Sequence, residues 1–138
     1  FGGEEAMVRV NGEVNVRAME EAKRAGVERA VLVSAYDYKI GQHRGPLVGY
    51  FRGKRLAERA LFSLFPSPAG VVLRPTFVYG SRAVTPGLSL PLQLIGTPLA
   101  AVTRLMPRAL REAPGLEYAL AVPVSVGRVA QAAVAAAA

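Results

Sequence analysis

The chain has 138 residues, with 17 basic and 10 acidic side chains, a formal net charge of +7 and 51% hydrophobic residues. That length allows one domain at most, though one with a real core. Cysteine is absent, which excludes a disulfide framework, thiolate catalysis and cysteine-ligated metal.

Taken in chain order, the first periodic segment is helical. Val10, Val14, Ala18, Ala22 and Ala25 form one apolar stripe, while Glu13, Arg17, Glu20, Glu21, Lys23 and Arg24 fall mostly on other faces. Lys23 and Arg24 complement the dipole in the last turn, and Gly26 is placed to end the helix. Next comes Glu28-Arg29-Ala30-Val31-Leu32-Val33-Ser34, a short apolar run without alternation that ends in a hydroxyl. Such a run suits a strand buried on both faces of a parallel sheet. From Val48 to Leu64, the residues Leu56, Ala57, Ala60, Leu61 and Leu64 recur at helical spacing. Gly70-Val71-Val72-Leu73-Arg74-Pro75 is a second strand-like run, closed by proline. Strand, helix and strand at these lengths read as a right-handed crossover unit. Residues 30–34 and 71–75 are therefore expected to be neighbouring parallel strands with the helix on one face. The fold class is α/β.

Chemistry concentrates in Gly49-Tyr50-Phe51-Arg52-Gly53-Lys54-Arg55. On a helix, Tyr50 and Lys54 stack on one face, so phenol and ammonium can reach one site. A phenol titrates near ~10, and a nearby cation is expected to lower that value. A lowered phenol serves as general acid or base beside a carbonyl gaining or losing a hydride. Without further context, the same pair equally describes a solvated helix face.

The rest of the chain is less specific. The single His43 sits in a Gly/Gln/Arg loop without a partner at metal spacing, so no metal site is expected. Arg52, Arg55 and Arg59, with Lys54, make the second helix basic. No basic run is interleaved with stacking aromatics, so nucleic acid is not an expected partner. From residue 81 to 121 prolines interrupt the pattern, and the nearly uncharged stretch from Gly87 to Ala101 is too broken and too short for a simple membrane-spanning helix. Leu88, Leu90, Leu92, Leu94, Ile95 and Leu99 there could receive an isoprenoid tail or lie on a membrane surface. After Val122-Pro123-Val124-Ser125-Val126, the alanine-rich end from Ala130 has high helix propensity.

Together, Asn11, the run ending at Ser34, Tyr50-Lys54 and Leu73-Arg74-Pro75-Thr76-Phe77-Val78-Tyr79-Gly80 resemble the extended and atypical short-chain dehydrogenase/reductases. The resemblance covers essentially the whole chain. It is nearest to the mitochondrial and plastid branch related to the dehydrogenase-like accessory subunit of complex I. It implies the C-terminal part of a Rossmann-like doubly wound parallel sheet with a small substrate-facing lobe. The implied cofactor is NAD or NADP.

Residue by residue, the resemblance makes Tyr50 the proton donor or acceptor and Lys54 the group that lowers its pKa and holds the nicotinamide ribose. Asn11 matches an asparagine that organises the site, and Pro75, Thr76 and Phe77 match the loop against the nicotinamide. Ser34 stands at or one residue before the usual carbonyl-polarising serine. If Ala35 is the true equivalent, the missing donor would cost about a few kcal/mol of transition-state stabilisation.

The implied organisation is residues 1–80 as the C-terminal half of the nucleotide domain, 81–121 as an apolar substrate lobe, and 122–138 as the return segment and last helix. No glycine-rich pyrophosphate turn occurs in the sequence, so that half of the fold is expected upstream. The implied function is that of an NAD(P)-binding accessory protein linked to complex I or ubiquinone metabolism. Its partners would be the nucleotide and a hydrophobic ligand or a membrane-bound respiratory or quinone-biosynthesis complex. The alternative is an active oxidoreductase or epimerase on a hydrophobic carbonyl or alcohol. The expected compartment is the mitochondrion, with the plastid as the alternative.

Overall fold

The computed structural model describes residues 3–36, 45–85, 88–91, 105–107 and 122–138. Two compact units are present. One comprises residues 1–74 with 133–138, the other residues 75–132.

The first unit opens with one long helical segment: α1 (Glu4–Val8), a π-helical stretch (Arg9–Glu13) and α2 (Val14–Arg24). Its end follows the expected chemistry. Gly26 has φ +83, Val27 N–H donates to the Ala22 carbonyl at 3.0 Å, and Gly26 N–H donates to Lys23 at 3.1 Å. That pair of bonds is a Schellman stop, which needs a residue at ease with positive φ. β1 (Ala30–Val33), α3 (Val48–Leu64) and β2 (Gly70–Leu73) follow. The two strands pair in parallel, with Ala30 opposite Gly70 and Val33 opposite Leu73. The strand–helix–strand expectation is met, and the described residues are α/β.

The core lies between the helices and one face of this pair. Met19 from α2, Leu32 from β1, and Ala57 and Leu61 from α3 join Phe65 there. Ala30 and Val72 pack against them from the same strand face, as the two-residue period of a strand requires. Val31 and Val33 take the alternate face, and Val33 is 42% exposed. Burial of β1 on both faces is thus not met among the described residues, because the core cluster gathers α2 and α3 on the same side.

The expected stripe on the first helix is also corrected. Val10 is 64% exposed and Val14 56%, whereas Gly12 and Met19 are buried. The inward face is chosen by backbone approach instead of side-chain bulk. A Cβ on Gly12 would lie 3.0 Å from Gly53 Cα, and a Cβ on Gly53 would lie 3.0 Å from both Asn11 Cβ and Gly12 N. One turn earlier on α3, a Cβ on Gly49 would overlap the Glu4 backbone. Gly49 and Gly53, four apart, let α3 settle directly onto α1 and the π-helical stretch.

In the second unit, β3 (Val78–Tyr79) pairs in parallel with β6 (Val124–Ser125), and β4 (Ser81–Thr85) pairs antiparallel with β5 (Leu88–Pro91). Leu88 and Leu90 lie on β5, while Leu92, Leu94, Ile95, Leu99 and His43 lie outside the described residues. Val126–Ala137 forms the last helix, α4. A strand and an alanine-rich helix thus stand at these positions, and among the described residues the strand pairs with β3. Among the described residues the strands form three two-stranded sheets, and no helix is long and apolar enough to cross a membrane.

Candidate functional site

The site is built where α3 passes the carboxyl end of β1. Tyr50 and Lys54 are one helical turn apart, and Lys54 Nζ stands 5.7 Å from the centre of the Tyr50 ring. That is cation–π range. Lys54 Nζ also donates to the Val33 carbonyl at 3.1 Å. The next residue, Arg55, donates from Nη2 to the Ala35 carbonyl at 2.6 Å. Residues two apart in an extended segment present their carbonyls to the same edge, so consecutive cations of α3 grip the outer edge of β1 as it ends. On the inner edge, Ser34 N–H donates to the Leu73 carbonyl at 2.7 Å.

Ser34 shares the strand face of Leu32 and is 4% exposed. Its Oγ reaches normal hydrogen-bond geometry with no group. Beside it lies Glu58, also 4% exposed. Glu58 Oε1 accepts from Arg55 Nη1 at 2.5 Å and from Arg74 Nε at 3.1 Å, and its Oε2 accepts from Arg74 Nη2 at 2.6 Å. Two guanidinium groups on one buried carboxylate give a charge-assisted, partly bidentate arrangement. Burial is the largest influence on the Glu58 carboxyl and pushes its pKa up. Hydrogen bonding from Arg74 and Arg55, with the Arg55 charge and the dipole of the neighbouring Ser34 hydroxyl, outweighs it and leaves the carboxyl below its ordinary value.

The electrostatics of Tyr50 run against the sequence expectation. Burial raises the phenol above its ordinary value, and the opposing charge comes from Arg55. Lys54 is itself pushed down by burial, with Glu58 opposing. The Lys54 ammonium is engaged with a carbonyl and the face of the ring, so it does not act as a neighbouring cation at the hydroxyl. Desolvation disfavours the phenolate, and in this arrangement it wins.

Asn11 is brought to the same helix pair through its contact with Gly53. Its Nδ2 donates to the Met7 carbonyl at 3.0 Å, and its own carbonyl accepts from Asn15 Nδ2 at 3.0 Å. Ser34, Tyr50, Lys54 and Asn11 thus belong to one unit and converge on α3. Pro75, Thr76 and Phe77 belong to the other unit. There Thr76 Oγ1 donates to the Val122 carbonyl, and Phe77 is half exposed. A hollow of about 600 Å³ lined by Glu4, Glu5, Ala6, Val8, Arg9, Glu13 and Arg52 contains none of the expected site residues.

The Lys54 ammonium carries three donors, and among the described residues the Val33 carbonyl takes one. Glu58 and Arg74 are the residues that sequence reasoning missed. The signal was present in two places: Glu58 follows Arg55 at i+3, and Arg74 directly follows an apolar strand run. Only the parallel pairing of the strands shows that these positions meet. Among the described residues, no group of histidine, cysteine or carboxylate side chains is arranged to hold a metal.

No family model and no solved structure matches the chain. It is 45% identical over 132 residues to an uncharacterized chloroplastic protein of Arabidopsis thaliana. That match covers 91% of this chain and 43% of the relative. The chain therefore spans less than half the length of the curated relative it matches.

Proposed function

We propose that this chain is part of an NAD(P)-binding protein of the extended or atypical short-chain dehydrogenase/reductase class, with the nicotinamide end of the nucleotide held at Tyr50 and Lys54. The observation that carries the reading is Lys54 on the Val33 carbonyl, at the carboxyl end of a parallel strand, with Tyr50 one turn before it on the crossover helix. Open α/β sheets bind ligands outside the carboxyl ends of their strands. In this reading the chain supplies part of a doubly wound parallel sheet. When bound, the nucleotide supplies hydride chemistry. Lys54 holds its ribose through its remaining donors, and Tyr50 holds a proton at its Oη.

An accessory role suits the site better than turnover. The Tyr50 phenol is raised rather than lowered, so it is a poor base at neutral pH. The Ser34 hydroxyl is buried beside Glu58, and the following position is alanine. The nucleotide then stabilises the fold, and the protein serves a quinone-handling or respiratory assembly. The chloroplastic relative supports the plastid as the compartment; the mitochondrial expectation has no such support.

The test is nucleotide titration of the intact protein that contains this chain. Tyr50→Phe should leave affinity for NAD(H) or NADP(H) unchanged, whereas Lys54→Ala should weaken it and remove the ligand-induced rise in melting temperature. Absence of binding to the intact wild type would refute the reading. Turnover that falls by roughly 10²–10⁴-fold in Tyr50→Phe would establish the enzymatic alternative.

A further inference from the structure

Glu58 stands where three segments meet. It lies on α3, Arg55 carries its charge to the Ala35 carbonyl beyond β1, and Arg74 brings in the residue just after β2. Each link has a reason to persist. Glu58 is almost wholly buried, so its carboxylate needs partners, and Arg55 is itself mostly buried at 21% exposure. The links form a chain from the Ala35 carbonyl through Arg55 and Glu58 to Arg74. Lys54 holds the Val33 carbonyl two residues before Ala35, on the edge that Arg55 also grips. Whatever fixes Arg55 therefore fixes the carbonyl that anchors Lys54.

We propose that Glu58 is a positioning residue for Lys54: its carboxylate anchors Arg55 and Arg74, draws the carboxyl ends of β1 and β2 onto α3, and holds the Lys54 ammonium at the Val33 carbonyl. The proposal rests on reading the Tyr50–Lys54 face as the working face. Among the described residues, the charged and titratable groups around Glu58 are Arg55 and Lys54 on α3 and Arg74 after β2, with the Ser34 hydroxyl beside them; Lys54 also faces the Tyr50 ring. Glu58 opposes the effect of burial on Lys54. Loss of its charge therefore makes the ammonium easier to deprotonate as well as less well held.

The experiment follows Lys54 directly, without nucleotide. In the intact protein, acetylation of Lys54 by acetic anhydride is measured against pH by mass spectrometry, in wild type, Glu58→Gln and Glu58→Asp. Acetylation needs the neutral amine, so its midpoint reports the Lys54 titration. Glu58→Gln should move that midpoint down by about half a pH unit or more. Glu58→Asp keeps the charge but is too short for both guanidinium groups, so a midpoint that moves in this variant reports lost positioning and not lost charge. If Glu58→Gln does not fold, the aspartate variant decides the matter. An unchanged midpoint in Glu58→Asp would overturn the proposal, since loss of charge alone moves only the Glu58→Gln midpoint. Nucleotide titration of the same wild-type sample separates the two readings. A shifted Lys54 without nucleotide binding keeps the positioning role and refutes the nucleotide function. An unshifted Lys54 with normal binding does the reverse.

Discussion

Gly53→Ala sets two effects of opposite sign against each other. In the interior of a helix, alanine is better than glycine by about 0.8–1.0 kcal/mol, so propensity alone predicts a more stable protein. The tertiary contact predicts a less stable one. The new methyl would meet Asn11 Cβ and Gly12 N at 3.0 Å and Asn11 C at 3.1 Å. Two of these are backbone atoms of a packed helix and cannot rotate aside. Overpacking of this kind typically costs about 1–3 kcal/mol, so the net expectation is a loss of about 0–2 kcal/mol. Gly12→Ala lies on the other side of the same contact and should behave alike. The double variant should lose more than the sum, because the two new methyls compete for one gap. Gly127→Ala is the control, since nothing lies within 4 Å of its Cβ position; it should be neutral or slightly stabilising. Urea unfolding of the intact protein reads all four variants. A gain of about 1 kcal/mol for Gly53→Ala would match propensity and refute the close-contact account of how α3 is seated.

Three further outcomes follow from the same geometry. Leu61 is fully buried in the core, so Leu61→Ala should cost about 2–5 kcal/mol in urea unfolding. The Glu58 carboxyl is lower in the folded protein than the ordinary glutamate value of about 4.3. The unfolded chain therefore binds the proton first on acidification. The contribution of Glu58 is complete above that ordinary value and is lost as pH falls through the lowered one. Melting temperature against pH should accordingly fall less steeply on the acid side in Glu58→Gln than in wild type. The Tyr50 phenol is raised when folded, so above about pH 10 the unfolded chain ionises first and Tyr50 makes stability fall with rising pH. Ultraviolet titration should show a late-ionising tyrosine component that is lost in Tyr50→Phe; phenolate formation by Tyr50 below about pH 10 would contradict the burial argument.

The sequence by itself determined the local elements. The apolar run at 30–34, the helical spacing from Val48 to Leu64 and the run closed by Pro75 became β1, α3 and β2. Lys23, Arg24 and Gly26 marked a helix end that the structure closes at Arg24. These features are legible because helix and strand periods and terminal chemistry act over a few residues. It also placed Tyr50 and Lys54 on one face, because that needs only a helix.

Three features were decided by tertiary structure alone. The buried face of the first helix was set by backbone contact between Gly12 and Gly53, and glycine is invisible to a count of apolar side chains. The pKa of Tyr50 was set by burial and by where the Lys54 ammonium went, to the Val33 carbonyl 21 residues back in the chain. The Glu58 hub joins residues 16 positions apart, at Glu58 and Arg74, and 20 apart, at Ala35 and Arg55. Charge pairs at that separation leave no periodic trace in a sequence. They exist because parallel pairing of β1 and β2 brings both carboxyl ends to one helix, where a buried carboxylate needs both guanidinium groups.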